Sequence, residues 1–478
     1  MMSPMMKGTA PLLAALALSA CVARPPPEVA TSAPVLPDSF VWAAVPDASG
    51  AVADLLPNGD PAYRTLSAQA LADAPSLAEA MARVEAARAG ANRAGAERLP
   101  TVGANASATG QRTSPNQFGT NLPPGIAFDT ERVSYAANLT ASWDVDLFGR
   151  LKAQERAALA RLDAAGGDAA AVRLALLAEI AGGVIDWRTL EAREAALSED
   201  LVAAETLVTL TDIRERAGIA PGFDRVRAET AAEASRSRIA ALASEKARVI
   251  GRLVTLTGLG GQAVRAALAA APSEATLPKA PASLPSALLG NRPDVIAAQA
   301  RLAASDADLA AAAARRFPQL TLSAALGLLA FDLGDLFDED AVVGSAGAGL
   351  LAPLLDFGRI ESEIDGAAAN KRVAFQGYRA AVFGALGEAE AAYGLVAAAD
   401  EEALASAREA ASADRAAQLA EFRFRAGLEN FLAVLEARRA ADASGERAAA
   451  AQGRAARARV LLWQALGGDY PASRSTSQ

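Results

Sequence analysis

Asp146-Leu-Phe-Gly-Arg150 recurs in the second half of the chain as Leu355-Asp-Phe-Gly-Arg359, and three other short motifs also occur twice. Two of these three recur at that same offset, and the third at an offset nine residues larger. Motifs that recur in one order along a whole chain indicate an internal duplication. The sequence therefore predicts two homologous halves that differ in the length of a loop. The other pairs are Arg98-Leu-Pro100 with Arg316-Phe-Pro318, Arg216-Ala-Gly-Ile219 with Arg425-Ala-Gly-Leu428, and Leu256-Thr-Gly258 with Ala465-Leu-Gly467.

Each half contains the same predicted elements in the same order. An Ala-rich helix starts after a proline and is ended by one, which is the usual placement of proline at helix ends. A hairpin follows, in which the alternation of apolar and polar residues from Val133 to Val145 is repeated from Leu320 to Leu328. A long helix and a returning helix complete each half. The predicted ranges are opening helices at 76–98 and 294–316, strands at 101–111, 133–145, 320–328 and 341–351, hairpin loops at 112–131 and 330–340, long helices at 151–214 and 360–424, and returning helices at 223–256 and 429–466.

Helix lengths predict how these elements are arranged. At 1.5 Å per residue, a long helix of about 65 residues reaches roughly 97 Å, the returning helix roughly 50 to 57 Å and the opening helix roughly 35 Å. Each half is therefore expected to form one long column beside one stacked column, with the hairpin at one end and the Arg-Ala-Gly turn at the other. The first long helix also has a packing seam with spacings of three and four. Its members are Leu174, Leu177, Ile180, Val184, Trp187 and Glu191.

Four strands in two hairpins predict a barrel that several copies share. Open strand edges are not tolerated in lipid, because unpaired backbone groups are costly there. Two copies would supply eight strands, which is too narrow for a duct, whereas three supply twelve and enclose a usable lumen. The predicted fold class is mainly α with a membrane β-barrel. Each chain is internally duplicated and contributes a long α-helical barrel plus four strands of a shared twelve-stranded trimeric β-barrel.

The N-terminus predicts export and a lipid anchor. Lys7 precedes an apolar stretch at 10–20, which is too short to span a bilayer and is typical of a secretory signal. The stretch ends in Leu18-Ser19-Ala20-Cys21, which resembles the bacterial lipobox and implies lipidation of Cys21 as the mature N-terminus. The alternative is an ordinary signal peptide with a chance cysteine. Val22 stands where an aspartate favours inner-membrane retention in similar lipoproteins, so the outer membrane is the expected location.

Prolines between Val22 and Pro75 predict an extended tether, because proline excludes long helices. Together with the duplication, this divides the chain into six predicted segments. They are a lipoprotein signal peptide at 1–20, a Pro-rich tether at 21–75, a first repeat at 76–258, an inter-repeat linker at 259–293, a second repeat at 294–467 and a C-terminal tail at 468–478.

The composition argues against enzymatic chemistry. The 478 residues include no histidine, one cysteine and no Gly-x-x-x-x-Gly-Lys-Ser/Thr phosphate loop. We therefore expect no catalytic residue, no cofactor and no metal site. Hydrophobic residues make up 52% and aromatic residues only 5%, and the surplus is alanine, which favours long and closely packed helices. The net charge of −9 argues against a nucleic-acid partner.

Several of these motifs together resemble the TolC-like outer-membrane efflux proteins, and the lipobox points to their lipoprotein branch. The resemblance extends from about residue 75 to residue 468, although Asn291 and Gln299 replace residues that are more often Arg and Glu. It implies a homotrimer with a periplasmic helical tunnel, docked onto a periplasmic adaptor protein and an inner-membrane pump. Such a channel is a passive exit duct for small molecules such as drugs or metals. The motifs are Leu284-Pro-Ser-Ala-Leu-Leu-Gly-Asn-Arg292-Pro-Asp-Val295, Ala298-Gln-Ala-Arg301, Arg316-Phe-Pro318, Asp356-Phe-Gly-Arg359 and Phe424-Arg-Ala-Gly427.

The resemblance also implies a periplasmic gate. Glu436 lies where the family commonly has an acidic residue at the closed mouth, and Leu432 matches an apolar ring position one turn earlier. Their spacing of four places both on one face of a helix. The alternative is a solvated glutamate beside a core leucine. Some members have a second acid where this chain has Ala433, and the first-half equivalent of Glu436 is Arg227, which is either its ion-pair partner across the mouth or a surface charge.

Two turns and one loop complete the candidate sites. Arg216-Ala-Gly218 and Arg425-Ala-Gly427 place glycine where a left-handed helix cap is needed, and the family presents these tips to the adaptor. The acidic run at 332–340 lacks the spacing of a calcium loop, and is expected to be a solvated loop. The glycines at 344–349 lie within a strand, so they do not form a dinucleotide fingerprint.

The main alternative function is a periplasmic coiled-coil adaptor lipoprotein, which would also have long Ala-rich helices. It would not require two hairpins with alternating faces. An enzyme is a further alternative, but the sequence lacks a nucleophile and base constellation.

Overall fold

The computed structural model describes residues 27–32, 34–43, 51–114, 131–272 and 277–468. Helices and strands follow the predicted order within a few residues at each end. Within the described ranges, short 3-10 segments lie at Val52–Leu55, Pro285–Ala287, Leu333–Phe337 and Glu339–Ala341. The elements are α1 (Pro61–Asp73), α2 (Pro75–Ala96), β1 (Thr101–Arg112), β2 (Glu131–Val145), α3 (Arg150–Arg216), α4 (Gly222–Thr257), α5 (Gly261–Leu268), α6 (Leu288–Asn291), α7 (Pro293–Ala314), β3 (Gln319–Ala330), β4 (Val342–Leu351), α8 (Arg359–Arg425) and α9 (Phe431–Ala465).

The chain forms two compact units, and the long helices α3 and α8 each have residues in both. One unit contains the four strands with the adjoining helix ends, and the other contains the main hydrophobic core with the returning helices. Among the described residues, the sheet unit comprises 27–31, 85–114, 131–163 and 300–376, and the core unit comprises 32, 34–43, 51–84, 164–272, 277–299 and 377–468.

The four strands form one antiparallel sheet in the order β1-β2-β3-β4. The two predicted hairpins are therefore joined through β2 and β3, which pair along their length. Trp143 lies opposite Leu322 and Leu139 opposite Leu326, so the apolar sides of both halves lie on one face of the sheet. At Gly327 an added Cβ would lie 2.1 Å from Oδ1 of Asn138, so glycine allows the close strand approach on the opposite face.

The duplicated Phe-Gly-Arg motif forms the turn from strand to long helix. Asp146 accepts hydrogen bonds from the backbone N–H groups of Leu151 (3.0 Å) and Lys152 (2.8 Å). In the second half Asp356 accepts one from Ile360 at 2.8 Å. Each aspartate thus satisfies free donors at a helix start, and the glycine that follows adopts a positive φ. The motif recurs because both halves need the same turn.

The core unit contains the predicted seam. Ile180 and Val184 are fully buried on α3, and Trp187 follows them in the same cluster. Leu174 and Leu177 are partly buried beside them. The prediction of a helix-packing face from spacings of three and four is therefore confirmed for these apolar members.

The prediction of an extended tether up to residue 75 is wrong for its last quarter. Residues 61–73 form α1, whose Tyr63 and Leu66 are buried in the main core. Proline bounds this helix rather than breaking it, because Pro61 occupies the first helical position, where its missing N–H is not needed. Asp60 caps the helix by accepting a hydrogen bond from the Ala62 N–H at 2.8 Å.

The predicted inter-repeat linker also contains regular structure. Within it, α5 buries Val264 and Leu268 completely, and the short α6 precedes Arg292. The loop between β3 and β4 contains two 3-10 segments, while its acidic residues are exposed as expected. Short apolar spacings in such segments give too little periodicity to predict a helix from sequence.

Candidate gate and docking tips

Both Arg-Ala-Gly turns end the long helices with the same hydrogen-bond pattern. Gly218 and Gly427 adopt positive φ values of 70° and 74°. The N–H of Ile219 donates to the carbonyl of Arg214 at 3.0 Å, and that of Leu428 donates to the carbonyl of Arg423 at 2.8 Å. This is the Schellman motif, in which a left-handed glycine lets the chain satisfy the last helical carbonyls. The predicted cap role of both glycines is confirmed.

A small hydrophobic cluster holds the two turns of one chain together. We call it the tip cluster, and the rings of Phe424 and Phe431 pack within it at a centroid distance of 5.8 Å. Arg214 connects the halves, because its guanidinium lies 4.6 Å from the Phe424 ring and donates to the Phe424 carbonyl at 3.3 Å. The buried members are Leu207, Ala228, Phe424, Phe431, Val434 and Leu435.

The predicted gate residues lie on the side of α9 that faces away from the tip cluster. Asn430 caps this helix by accepting a hydrogen bond from the Ala433 N–H at 2.9 Å. Val434 and Leu435 are buried, whereas Leu432 is 44% exposed and Glu436 is also exposed. The leucine is thus not a core residue of the single chain. The helix presents one apolar and one acidic side chain on the same free face.

The arginines of the tips are exposed and pair along their own helices. Arg216 pairs with Asp212 at 2.9 Å, and Arg425 pairs with Glu421. Arg227 lies 4.4 Å from the ring of Phe223 one turn before it. Within one chain Arg227 thus stacks on an aromatic ring, and its pairing with Glu436 across the mouth stays a prediction. Exposed pairs of this kind contribute little to stability.

A pair of neighbouring aspartates above the tip cluster was not predicted from the sequence. Asp200 on α3 and Asp442 on α9 each leave a buried carboxylate oxygen without a hydrogen-bond donor among the described residues. Burial raises the pKa of the Asp200 carboxyl to about 7, and the hydrogen bond and negative charge of Asp442 add to this shift. The charges of Arg238 and Arg438 oppose it. No sequence signal could have paired the two aspartates, because they lie in different halves.

The Arg292-Pro-Asp motif forms a buried clamp. Arg292 is only 7% exposed and donates to both carboxylate oxygens of Asp294, at 3.0 and 2.7 Å. It also donates to the carbonyl of Ala465 at 3.0 Å and pairs with Glu388 at 2.7 Å. Burial raises the pKa of the Asp294 carboxyl, but the hydrogen bonds and charge of Arg292 outweigh it and hold that pKa below its usual value. The motif therefore fastens the start of α7 to α8 and α9.

Two further predictions concern the lipidation of Cys21 and the lack of a metal site. Cys21 lies outside the described residues. Across the described ranges, no group of three or more Cys, Asp or Glu side chains is arranged to hold a metal ion.

Comparisons with known proteins identify the family and the fold. The sequence profile of the outer membrane efflux protein family matches residues 66–259 and 284–468. The chain is 33% identical over 475 residues to the pyoverdine export outer membrane protein OpmQ of Pseudomonas aeruginosa, covering 98% of each chain. It is 32% identical over 483 residues to the outer membrane protein OprJ of the same species, covering 98% of this chain and 97% of the relative. The solved structure of the outer membrane protein VceC from Vibrio cholerae superposes with a TM-score of 0.79 at 26% identity, over 88% of this chain and 99% of that one.

A duplicated helical chain with a four-stranded membrane sheet defines an outer-membrane channel subunit of an efflux system. The chain belongs to the outer membrane efflux protein family. The alternative of a periplasmic adaptor is wrong, because the relatives are outer-membrane components of efflux pumps and the structural neighbours are outer-membrane channels.

Proposed function

We propose that three copies of this chain form one passive exit duct, in which twelve strands close a barrel and the long helices form a periplasmic tunnel. The four-stranded sheet carries this proposal. Within the described residues β1 and β4 each pair with a single neighbour, so the sheet has two open edges. Its apolar face is exposed, with Val102 at 68%, Leu326 at 61% and Leu350 at 68%. An apolar face with open edges suits lipid only if the edges pair with other copies.

The long helix α8 supports the same assembly. One 18-residue stretch of it is apolar enough to cross a membrane, and only 33% of that stretch is buried within the chain. Composition alone is weak evidence for a membrane span. However, α8 also carries charged residues that pair with α9, such as Glu402 with Arg454 at 2.6 Å. Contact with a neighbouring copy is therefore a better account of its exposed apolar surface than a span through lipid.

The partners we propose are a periplasmic adaptor protein and an inner-membrane pump, with the adaptor bound at the two tips. Ile219, Phe223 and Leu428 are each more than 60% exposed beside the glycine caps Gly218 and Gly427. Exposed apolar side chains on rigid turns fit a protein partner, and Arg216 and Arg425 beside them supply charge for its rim. A photo-crosslinking residue at position 428 should capture the adaptor, and failure to do so in an assembled pump would contradict this docking site.

Substrate choice is expected to reside in the pump, because the duct itself moves small molecules passively. The names of two relatives refer to pyoverdine export and toluene efflux, so related channels serve chemically different cargo. We propose export of small molecules such as drugs or metals for this chain, with no cofactor and no catalytic step.

The assembly is tested with the full-length protein purified from outer membranes. We expect a trimer that resists mild detergent at room temperature and dissociates to a monomer on heating, together with discrete conductance steps in planar lipid bilayers. A disrupted sheet edge provides the control. Placing proline at Ser345 in the middle of β4 should abolish trimers and conductance, because proline removes a ladder donor. A stable monomer that conducts, or a dimer, would refute the twelve-stranded barrel.

We also propose that Cys21 carries the lipid anchor. Replacing Cys21 with serine should abolish acylation, while the barrel still inserts, because one lipid anchor adds little to a spanning barrel. We expect partial loss of export activity, measured alongside metabolic labelling with a radioactive fatty acid. Continued labelling of the variant would disprove acylation at Cys21. Complete absence of the variant from the outer membrane at normal expression would show that the barrel depends on the anchor.

A further inference from the structure

Asp200 and Asp442 join the two halves of the chain just above the tip cluster. Asp200 lies about two turns before Leu207 on α3, and Asp442 lies about two turns after Leu435 on α9, roughly 10 Å of helix in each case. Both leucines are buried in the tip cluster. A change in the contact between the aspartates is therefore transmitted directly to the helices that carry the tips.

The geometry favours a proton between these two side chains. Each contributes a buried oxygen that no described donor reaches, namely Oδ2 of Asp200 and Oδ1 of Asp442, and the carboxyls are close enough to hydrogen-bond. Two ionised carboxylates in contact repel each other and leave both oxygens unsatisfied. A single proton turns the same contact into a charge-assisted hydrogen bond.

Charged groups from all four surrounding helices face or flank this pair. Asp442 lies 3.7 Å from Arg238, so the positive charge nearest the pair lies on its Asp442 side. The remaining groups form ion pairs with each other, although Nε of Arg438 has no hydrogen-bond partner among the described residues. They are Arg193 on α3 with Glu446 (2.5 Å) and Glu245 (3.2 Å), Arg238 on α4 with Glu446 (4.0 Å), and Arg438 on α9 with Glu421 on α8 (2.8 Å).

We infer that a proton shared by Asp200 and Asp442 holds α3 against α9 and keeps the tips closed, and that its loss near neutral pH loosens them toward the open duct. This rests on the proposed function, in which the tips form the closed periplasmic mouth. The occupant of the site is a proton from the periplasm, which exchanges with the medium. The duct would then close when the surroundings become acidic.

The direction of the pH effect follows from the two states. With the two aspartates in contact, as the inferred closed state requires, the pKa of Asp200 is about 7, whereas a solvated aspartate in the open state would have its usual value near 3.8. Below about pH 4 both states hold the proton, so the preference for the closed state is fully present. As the pH rises from about 4 to about 7, the open state releases its proton first. The closed state therefore becomes less stable relative to the open state until about pH 7. One linked proton changes the closed-to-open ratio of a protomer by at most about tenfold per pH unit.

The test uses full-length trimers in planar bilayers of constant salt, measured from about pH 5 to about pH 8. Wild-type basal conductance should rise severalfold across this range and level off near pH 7. Asp200→Asn mimics the protonated state, so it should stay at the low acidic level throughout. Asp442→Asn should also remove the step. The matched control is Glu199→Gln, which changes an exposed carboxylate on the same turn and should keep the step.

Each outcome decides the matter. A flat wild-type profile overturns the inference without any variant, which covers the case in which the variants fail to assemble. A step that persists unchanged in Asp200→Asn overturns it as well, and assigns the pH dependence to other groups. A complete lack of conducting trimers at every pH would instead refute the proposed channel.

Discussion

Replacing Arg292 with alanine should prevent most of the chain from assembling into stable trimers. The substitution removes four hydrogen-bonded contacts at once and leaves the carbonyl of Ala465 buried without its donor. Removing one partner of a buried ion pair costs roughly 3–5 kcal/mol. Because Asp294 and Glu388 remain 44% and 63% exposed and can be rehydrated, we expect the lower end of that range. Such a loss is a large fraction of the stability of an ordinary protein domain.

The measurement is the temperature at which purified trimers dissociate, together with their yield in the outer membrane. Arg425→Ala is the matched control, because it removes an exposed arginine whose pair lies within its own helix, and it should change stability by less than about 1 kcal/mol. Arg292→Lys should be intermediate, since lysine keeps the charge but not the forked geometry. Equal stability of Arg292→Ala and Arg425→Ala would show that the clamp is dispensable.

The same clamp predicts sensitivity to acid. The pKa of Asp294 is lowered in the folded protein, so its contribution is present above the unfolded value of 3.8 and is lost as the pH falls through the lower folded value. The wild type should therefore lose this part of its stability only in strong acid. In Arg292→Ala that acid-dependent part should be absent from the stability profile.

Replacing Leu432 and Glu436 together with alanine should raise the basal conductance of the channel severalfold. If three copies of Glu436 meet at the axis, their charges repel, so contacts elsewhere must keep the mouth closed. Leu432 would narrow and dry the constriction. The double variant shortens both side chains that would narrow the closed mouth, so the closed channel should be wider. It should leave trimer stability unchanged, because both side chains are exposed and point away from the tip cluster.

The loss of the acidic ring should also reduce any preference for cations. This second effect should shrink in high salt, because exposed charges are screened over about 10 Å at 0.1 M and about 3 Å at 1 M. A matched control is the double substitution of Glu401 and Leu404 on α8, which removes the same residue types from an exposed surface away from the turns. Wild-type conductance and ion selectivity in the Leu432/Glu436 variant would remove both residues from the gate.

The local features of this fold could be predicted from sequence. The duplication is visible as recurring motifs, and the two faces of β2 and β3 follow from their alternation. The glycine caps at 218 and 427 follow from the need for a left-handed residue where a long helix ends. These features depend on neighbours within a few residues along the chain, and local periodicity records such neighbours directly.

Other features depended on tertiary structure. Prolines predicted a tether at residues 61–73, but burial of Tyr63 and Leu66 in a distant core stabilises a helix there. The hydrogen bond from Arg292 to Ala465, the pairing of β2 with β3 and the Asp200–Asp442 contact all join residues more than a hundred positions apart. A carboxylate in the sequence is the same whether it is solvated, as Glu436 is, or half-buried against another carboxylate, as Asp200 is. Only the packing of α3 against α9 determines its solvation, and solvation determines whether it holds a proton near neutral pH.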